Sequence, residues 1–264
     1  MKIALIIISV IIALAVIIFI IKEIKYKLDL KFIVDKFENG NCIVFGKKGK
    51  GKDLLFNAVI NKRNELAYSN IQYNRDLINI KPIKDFSVEP NTYLNMLNGN
   101  IEIIPKKIKE NTDFYISDGG IYLPSQYSQQ LIKLYPSLPI FYATSRHLGN
   151  MNIHINTQYL GRIWDKLREQ ADSYFKCVET VRHGNNLITT IIYYDTYKSA
   201  MAELLPFKKD LFNSSEVKAS YKDFEAKNGI VKQLKIKQKI KNINYDTRYF
   251  HKVFYGNRAP NTIK

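Results

Sequence analysis

At 264 residues the chain is long enough to bury a real core, as one substantial domain or as a domain with appendages, taking ~150 residues per domain. Forty Lys and Arg against 24 Asp and Glu leave a formal charge of +16, which points to nucleic acid or an anionic membrane surface as a partner. Lys, Asn, Ile and Tyr are all abundant, as in a chain encoded by an AT-rich genome, so coding bias accounts for part of that basicity. The two cysteines, Cys42 and Cys177, lie in apolar strand-like stretches outside any C-x-x-C pair and read as reduced core residues of a cytosolic domain.

In chain order, the first element is an uncharged run, Ile3 to Ile21, bounded by Lys2 and Lys22. A helix of ~20 apolar residues crosses the hydrocarbon core of a bilayer. A cleaved signal would have an apolar region of only ~7–15 residues and a small-residue cleavage site, whereas "KEIKYKLDLK" follows here. Residues 1–22 are therefore expected to be a transmembrane anchor. Lys22, Lys25, Lys27 and Lys31 follow the span and only Lys2 precedes it, which places the amino terminus outside and the rest in the cytoplasm. Residues 23–40 read as a basic juxtamembrane connector.

No repeat or low-complexity block interrupts the remainder, and residues 41–205 alternate strand-like and helix-like segments as an α/β domain does. "NCIVFG" predicts a buried strand, and "KDLLFNAVINKR" a helix with Leu54, Leu55, Ala58 and Val59 on one face. "IEIIP" and "DFYIS" predict strands. "PSQYSQQLIKLY" predicts a helix with Leu131, Ile132 and Leu134 inward, and "PIFYATSRHLG" another. A strand in "NIHINTQ" and a helix in "GRIWDKLREQA" follow. "SYFKCVETVR" and "LITTIIYYD" then form a hairpin around "HGNN". The expected architecture is a mostly parallel central sheet flanked by helices. Residues 206–264 are a basic C-terminal extension. In it "VKQLKIKQKIK" is either an amphipathic edge strand with a basic face or a solvated tail, the tail being slightly preferred.

The chemistry concentrates first in Gly46, Lys47, Lys48, Gly49, Lys50, Gly51, Lys52, Asp53 and Leu54. The G-x-x-x-x-G-K spacing between a strand and a helix is that of a phosphate-binding loop: its glycines let backbone N–H groups turn onto phosphates, and its lysine reaches the β/γ oxygens. Asp53 stands where a hydroxyl usually meets the metal. A carboxylate there can bind Mg²⁺ directly, but beside a triphosphate it adds a repulsion of ~4 kcal/mol at ~4 Å and an effective dielectric near 20. Metal bridging and the charges of Lys47, Lys48 and Lys50 offset it. The reading is an altered Mg²⁺–nucleotide site.

"DFYISDGG" supplies an apolar strand ending in Asp118, the position of a second magnesium-site carboxylate, but Gly119 follows where a water-activating glutamate often stands. Glu102 and Asp113 are nearby substitutes between which the sequence does not choose. Gln158, at the tip of "NIHINTQ", fits a γ-phosphate sensor if that strand lies beside the first one. Arg146, Arg162 and Arg168 near that edge are candidates to complete a neighbouring subunit's site as arginine fingers, and Lys166 lies on the same basic helix. His147 and His154 show no metal spacing and read as satisfied histidines.

Together "VFGKKGKGKD", "FYISDGG" and "SRHLGNMNIHINTQYLGRIWDKLREQAD" resemble the zonular occludens toxin-like family, the assembly ATPases of filamentous phages in the FtsK/HerA-type branch of P-loop motors. The resemblance covers residues 41 to 195. It implies a membrane-bound, homo-oligomeric ATPase that uses ATP and Mg²⁺ to extrude single-stranded phage DNA as coat and other assembly proteins package it at the host inner membrane. By that pattern Gly46, Gly51 and Lys52 cradle the phosphates, Asp118 coordinates magnesium, Gln158 acts as sensor and Arg146 as finger. The chain departs from the pattern at Asp53, where the family has Ser or Thr, at Gly119, where it has Glu, and in carrying its span before the ATPase region. A plasmid coupling protein has its span first and is the alternative motor. A non-hydrolysing nucleotide-binding scaffold at the membrane is the alternative of a different class.

Overall fold

The computed structural model describes residues 2–63, 67–69, 78–79, 111–119, 150–201, 229 and 231–243. Arg146, His147, Glu102 and the segments "IEIIP", "PSQYSQQLIKLY" and "PIFYATSRHLG", with Leu131, Ile132 and Leu134, lie outside the described residues.

One helix, α1, runs from Lys2 to Glu38. The span and the residues expected as a connector are thus a single 37-residue helix. Its two ends behave differently. Ile6 to Ile21 are exposed along the whole run, whereas Ile33, Val34 and Phe37 are buried in the domain core. The helix stops at Asn39-Gly40, where a Cβ on Gly40 would lie 2.6 Å from Asp172 Oδ2. Asn41 then pins the chain: its N–H donates to Asp172 Oδ2 at 2.8 Å and its Oδ1 accepts from the Ile153 amide at 2.8 Å.

The described strands form one sheet of eight in the order β3-β2-β4-β5-β1-β6-β7-β8. They are β1 (Cys42–Phe45), β2 (Tyr68–Ser69), β3 (Ile78–Asn79), β4 (Phe114–Ile116), β5 (Ile153–Thr157), β6 (Ser173–His183), β7 (Asn186–Tyr194) and β8 (Val231–Lys239). From β3 to β6 every pairing is parallel, and β7 and β8 add antiparallel strands at one edge. A mostly parallel sheet with helical cover is the architecture expected from the sequence. The hairpin also matches, closing β6 and β7 through Gly184-Asn185, with Gly184 at φ +56° where a side chain would be strained.

Three local expectations need correction. The helix α2 (Lys52–Arg63) buries every residue from Leu54 to Ile60 rather than one face. The sheet and α1 cover it, and the end of β8 and the turn after it lie over it, where Asn57 Nδ2 donates to Gln238 Oε1 at 3.0 Å and to the Asn242 carbonyl at 3.2 Å. The helix expected in "GRIWDKLREQA" is broken: a 3₁₀ turn at Leu160–Arg162 and a single turn α3 (Asp165–Arg168) flank an extended Ile163 at φ −79°, ψ 142°. That break lets Ile163, Trp164 and Leu167 all be buried. "VKQLKIKQK" is the edge strand β8 rather than a solvated tail. Leu234 and Ile236 enter the core, and Asp29 of α1 accepts the outward Lys235 amide at 3.0 Å, so the helix covers an edge that would otherwise be open.

The core sits between one sheet face and the two long helices. Ile33, Val34 and Phe37 of α1 meet Leu55, Phe56 and Val59 of α2, with Val44, Phe175, Tyr193, Leu234 and Ile236 of the sheet. The Phe37 ring lies 4.5 Å from His154, 5.4 Å from Phe175 and 6.1 Å from Phe56. Fully burying such a ring contributes roughly 2–3 kcal/mol from its area. A short helix α4 (Tyr197–Met201) follows β7.

Candidate nucleotide-binding site

In a parallel sheet, ligands bind beyond the carboxyl ends of the strands. β1 is central, between β5 and β6, and the loop 46–51 leaves it at that end and leads directly into α2. Two of its glycines are sterically required. Gly46 has φ +148°, and a Cβ there would lie 2.4 Å from the Cys177 carbonyl oxygen. Gly51 has φ +92°, and its Cβ would lie 2.3 Å from Thr180 Oγ1. The loop therefore lies against the hairpin, and Thr180 holds it there by donating to the Lys50 carbonyl at 3.2 Å.

Lys52, 7% exposed, arches back to donate from Nζ to the Lys47 carbonyl at 3.4 Å. Lys47 and Lys48 are exposed and Lys50 is half-buried, so the loop carries its positive charge outward. Leu54 is buried beneath it, an anchor in the core.

Asp53 lies in the first turn of α2. Its Oδ1 accepts from Asn156 Nδ2 at 2.7 Å and from Ser117 Oγ at 3.2 Å. Asn156 also donates to Ser117 Oγ at 3.1 Å and, through Oδ1, accepts the Asp118 amide at 2.8 Å. The ends of β4 and β5 are thereby tied to the first turn of α2. Asp118 itself has φ +53°, a left-handed conformation that aspartate tolerates better than most side chains. Burial pushes its carboxyl above the usual carboxylate range, with the Asp53 charge adding to the effect and Lys52 and Lys48 opposing it. Two carboxylates, a hydroxyl and an amide thus converge beside the loop lysine.

That donor set is all hard oxygen apart from the amide nitrogen, which suits a divalent cation. Among the described residues no group of three or more His, Cys, Asp or Glu could hold a metal alone. Mg²⁺ usually takes one or two carboxylates and completes its shell with phosphate oxygens and water, and the Asp53–Asp118 pair fits that pattern.

The strand β5 does lie beside β1, with Thr157 opposite Phe45 and its carbonyl accepting the Gly46 amide at 3.2 Å. Gln158, half-buried, follows immediately at the mouth of the loop. Of the arginine-finger candidates, Arg146 lies outside the described residues. Arg162 and Lys166 are exposed, whereas Arg168 donates to the Gly161 and Ile163 carbonyls at 3.3 Å each and lies over the Tyr197 ring, so its role is internal.

Asp113 is removed from consideration as a base. It stands before β4, at the opposite end of the strands from the loop, ion-paired with Arg63 of α2 and 3.5 Å from His154 Nε2. Burial alone would raise its pKa, but the nearby His154 ring, the Arg63 guanidinium and the Asn152 amide hold it at about 2. His154, wholly buried between Phe37 and Tyr115, is pushed below its ordinary value by desolvation and stays neutral.

Asn156 and Ser117 were not singled out from the sequence. The signal was present in Asn156, a polar residue inside a buried strand directly opposite Val44 of β1. Gly119 also gains a local reason, since a Cβ there would lie 2.2 Å from Ile155 Cγ2.

A lysine-bearing glycine loop between the central strand and a buried helix, with an acidic strand end two strands away, defines a P-loop nucleotide-binding fold. Solved structures similar to this chain include the N-terminal domain of zonular occludens toxin from Neisseria meningitidis, at 14% identity and a TM-score of 0.39 over 59% of this chain and 83% of that one. The DNA-packaging ATPase B204 of Sulfolobus turreted icosahedral virus aligns at 13% identity and a TM-score of 0.37 over 75% and 97%. B204 of Sulfolobus turreted icosahedral virus 2 in complex with AMP aligns at 17% identity and a TM-score of 0.34 over 55% and 77%. No protein-family model and no curated protein matches the chain.

Proposed function

We propose that this chain is a membrane-anchored P-loop ATPase of the filamentous-phage assembly type, acting as a homo-oligomer to drive export of phage DNA during virion assembly. The observation that carries the nucleotide reading is the pair Asp53 and Asp118, tied by Asn156 and Ser117 beside the loop lysine Lys52 at the carboxyl end of β1. The membrane reading rests on α1, whose apolar half is long enough to cross a bilayer and is exposed along Ile6 to Ile21. The amino terminus then lies outside and the ATPase domain in the cytoplasm.

In this reading the loop amides and Lys52 bind the β and γ phosphates, and Gln158 at the loop mouth senses the γ-phosphate. Asp53 and Asp118 would hold Mg²⁺, which supplies charge neutralisation across the phosphates when bound. Asn156 fixes the Asp53 carboxylate and the Asp118 backbone in place, so little reorganisation is needed when the nucleotide enters. Arg146, or the exposed Arg162, reaches a neighbouring subunit's phosphates.

One observation favours a second reading, a nucleotide-binding scaffold that does not hydrolyse. Packing of Gly119 on Ile155 leaves no room for the glutamate that usually activates water there. Turnover by the full chain in lipid nanodiscs, with and without single-stranded DNA, separates the two. DNA-stimulated hydrolysis abolished by Lys52→Ala supports the motor; salt-sensitive DNA binding and nucleotide binding without turnover support the scaffold. Absence of nucleotide binding by the unaltered chain refutes both.

A further inference from the structure

The register of α1 on the sheet fixes which end of the domain faces the helix's apolar half. α1 runs antiparallel to β8: Asp29 takes the Lys235 amide, and Glu23, further toward the amino terminus, pairs with Lys237. The Lys237 ammonium also lies 5.6 Å from the Phe19 ring, inside the apolar run itself. β8 is antiparallel to β7, β7 to β6, and β6 is parallel to β1. The carboxyl ends of β8, β6 and β1 therefore all point toward the apolar half of α1. From Lys235 to Lys239 the strand rises ~13 Å at ~3.3 Å per residue. The same distance along a helix, at ~1.5 Å per residue, leads from Asp29 to about residue 20, the boundary of the span.

The groups that reach this level are basic. Arg182, His183, Lys239 and Lys241 are exposed at the hairpin tip and just beyond β8, where the Asn185 carbonyl accepts the Ile240 amide at 2.9 Å. Beside them a groove of about 700 Å³ opens between α1, α2 and β8; Lys62 lines it at the end of α2 away from the loop, and Lys239, Lys241 and the Glu23-paired Lys237 line it toward the tip. Lysines at this depth keep their stems on apolar surface and their charges at headgroup level.

We propose that the tip of the β6–β7 hairpin and the end of β8 dock on the anionic phospholipid headgroups of the membrane that α1 crosses, so that the nucleotide-binding end of the sheet faces the bilayer. This rests on the membrane reading of α1. The contact has a direct route to the site, because Thr180 and Thr189 of the same hairpin lie against Gly51. An anionic lipid surface is favoured over nucleic acid as the occupant because the patch is joined to the apolar helix through Lys237, Glu23 and Phe19.

The test uses the full chain in nanodiscs of phosphatidylcholine alone or with anionic phosphatidylglycerol. A fluorophore is placed at Asn185→Cys, selectively because Cys42 and Cys177 are buried, with acceptor dye on lipid headgroups. Energy transfer should be high in anionic discs and fall in 0.5 M salt. In Lys239→Glu/Lys241→Glu the tip's partition to the surface should drop roughly tenfold or more. Co-elution with the discs checks the anchor, and binding of a fluorescent ATP analogue checks the fold and the loop, so a failure of either is seen separately. Equal transfer in neutral and anionic discs, or no effect of the double variant when it is inserted and binds nucleotide, overturns the proposal. So does displacement of the tip from anionic discs by single-stranded DNA, which would make the patch a nucleic-acid surface.

Discussion

Replacing Asn156 by alanine tests whether the site is built as described. Asn156 is 1% exposed and makes three bonds: to Asp53 Oδ1 at 2.7 Å, to Ser117 Oγ at 3.1 Å and from the Asp118 amide at 2.8 Å. The bond to the carboxylate is worth about 1.5–3 kcal/mol, and leaving the Asp118 amide unpaired costs about 1–3 kcal/mol. The expected loss is on the order of 3 kcal/mol, which lowers Tm by roughly 6–12 °C for a domain of this size. Trp164, the single tryptophan and fully buried beside α3, reports the transition by its fluorescence. The decisive measurement is a double-mutant cycle with Asp53→Ala, where the two losses should fall short of additivity by about 1–2 kcal/mol. Strict additivity would refute the direct Asn156–Asp53 contact. Nucleotide affinity should fall in parallel, because Asp53 and Asp118 lose their common support.

Other substitutions follow from the same geometry. Gly51→Ala puts a Cβ 2.3 Å from Thr180 Oγ1 at φ +92° and should abolish nucleotide binding, whereas Gly161→Ala, with nothing within 4 Å, should leave binding and Tm unchanged; titration with a fluorescent ATP analogue checks both. Gly119→Glu should destabilise the protein by ~1–3 kcal/mol without raising turnover, and adding Ile155→Ala should recover part of the clash, measured by thermal melts of the single and double variants. Stability should fall in two acid steps. The His154 pKa lies below its ordinary 6.5, so the unfolded chain takes up the proton first and stability declines as pH drops below about 6.5. The Asp113 pKa is lowered from 3.8 to about 2, so its contribution, on the order of 2 kcal/mol, is present above about pH 4 and lost as pH falls toward 2. Denaturant midpoints across pH should show the upper step flattened in His154→Gln and the lower step reduced with it, because His154 is among the groups that hold the Asp113 pKa down.

How far the sequence reaches is seen by comparing particular residues. The apolar run of α1, the glycine–lysine loop and the "HGNN" turn were legible because each depends on local chemistry: side-chain hydropathy over ~20 residues, steric freedom at glycine, a tight turn between two alternating runs. Asp53 was legible as an anomaly but not in its surroundings. The side chains that bind it come from 64 and 103 residues further along, and only the pairing of β4, β5 and β1 brings them together. Asp113 shows the reverse case, a carboxylate close in sequence to Asp118 that the strand direction carries to the far end of the sheet. The lysine-rich β8 was ambiguous for the same reason, since its alternation becomes a strand only where β7 lies on one edge and Asp29 caps the other.

The sequence by itself therefore determined a membrane-length helix, a phosphate-binding loop and an α/β order, because these follow from interactions within a few residues of one another. Tertiary structure alone decided that α1 enters the core through Phe37, that Asn156 clamps Asp53 to Asp118, and that the loop end of the sheet turns toward the apolar half of the helix. Each of those depends on sheet register, which is set by packing and hydrogen bonds between segments distant in the chain.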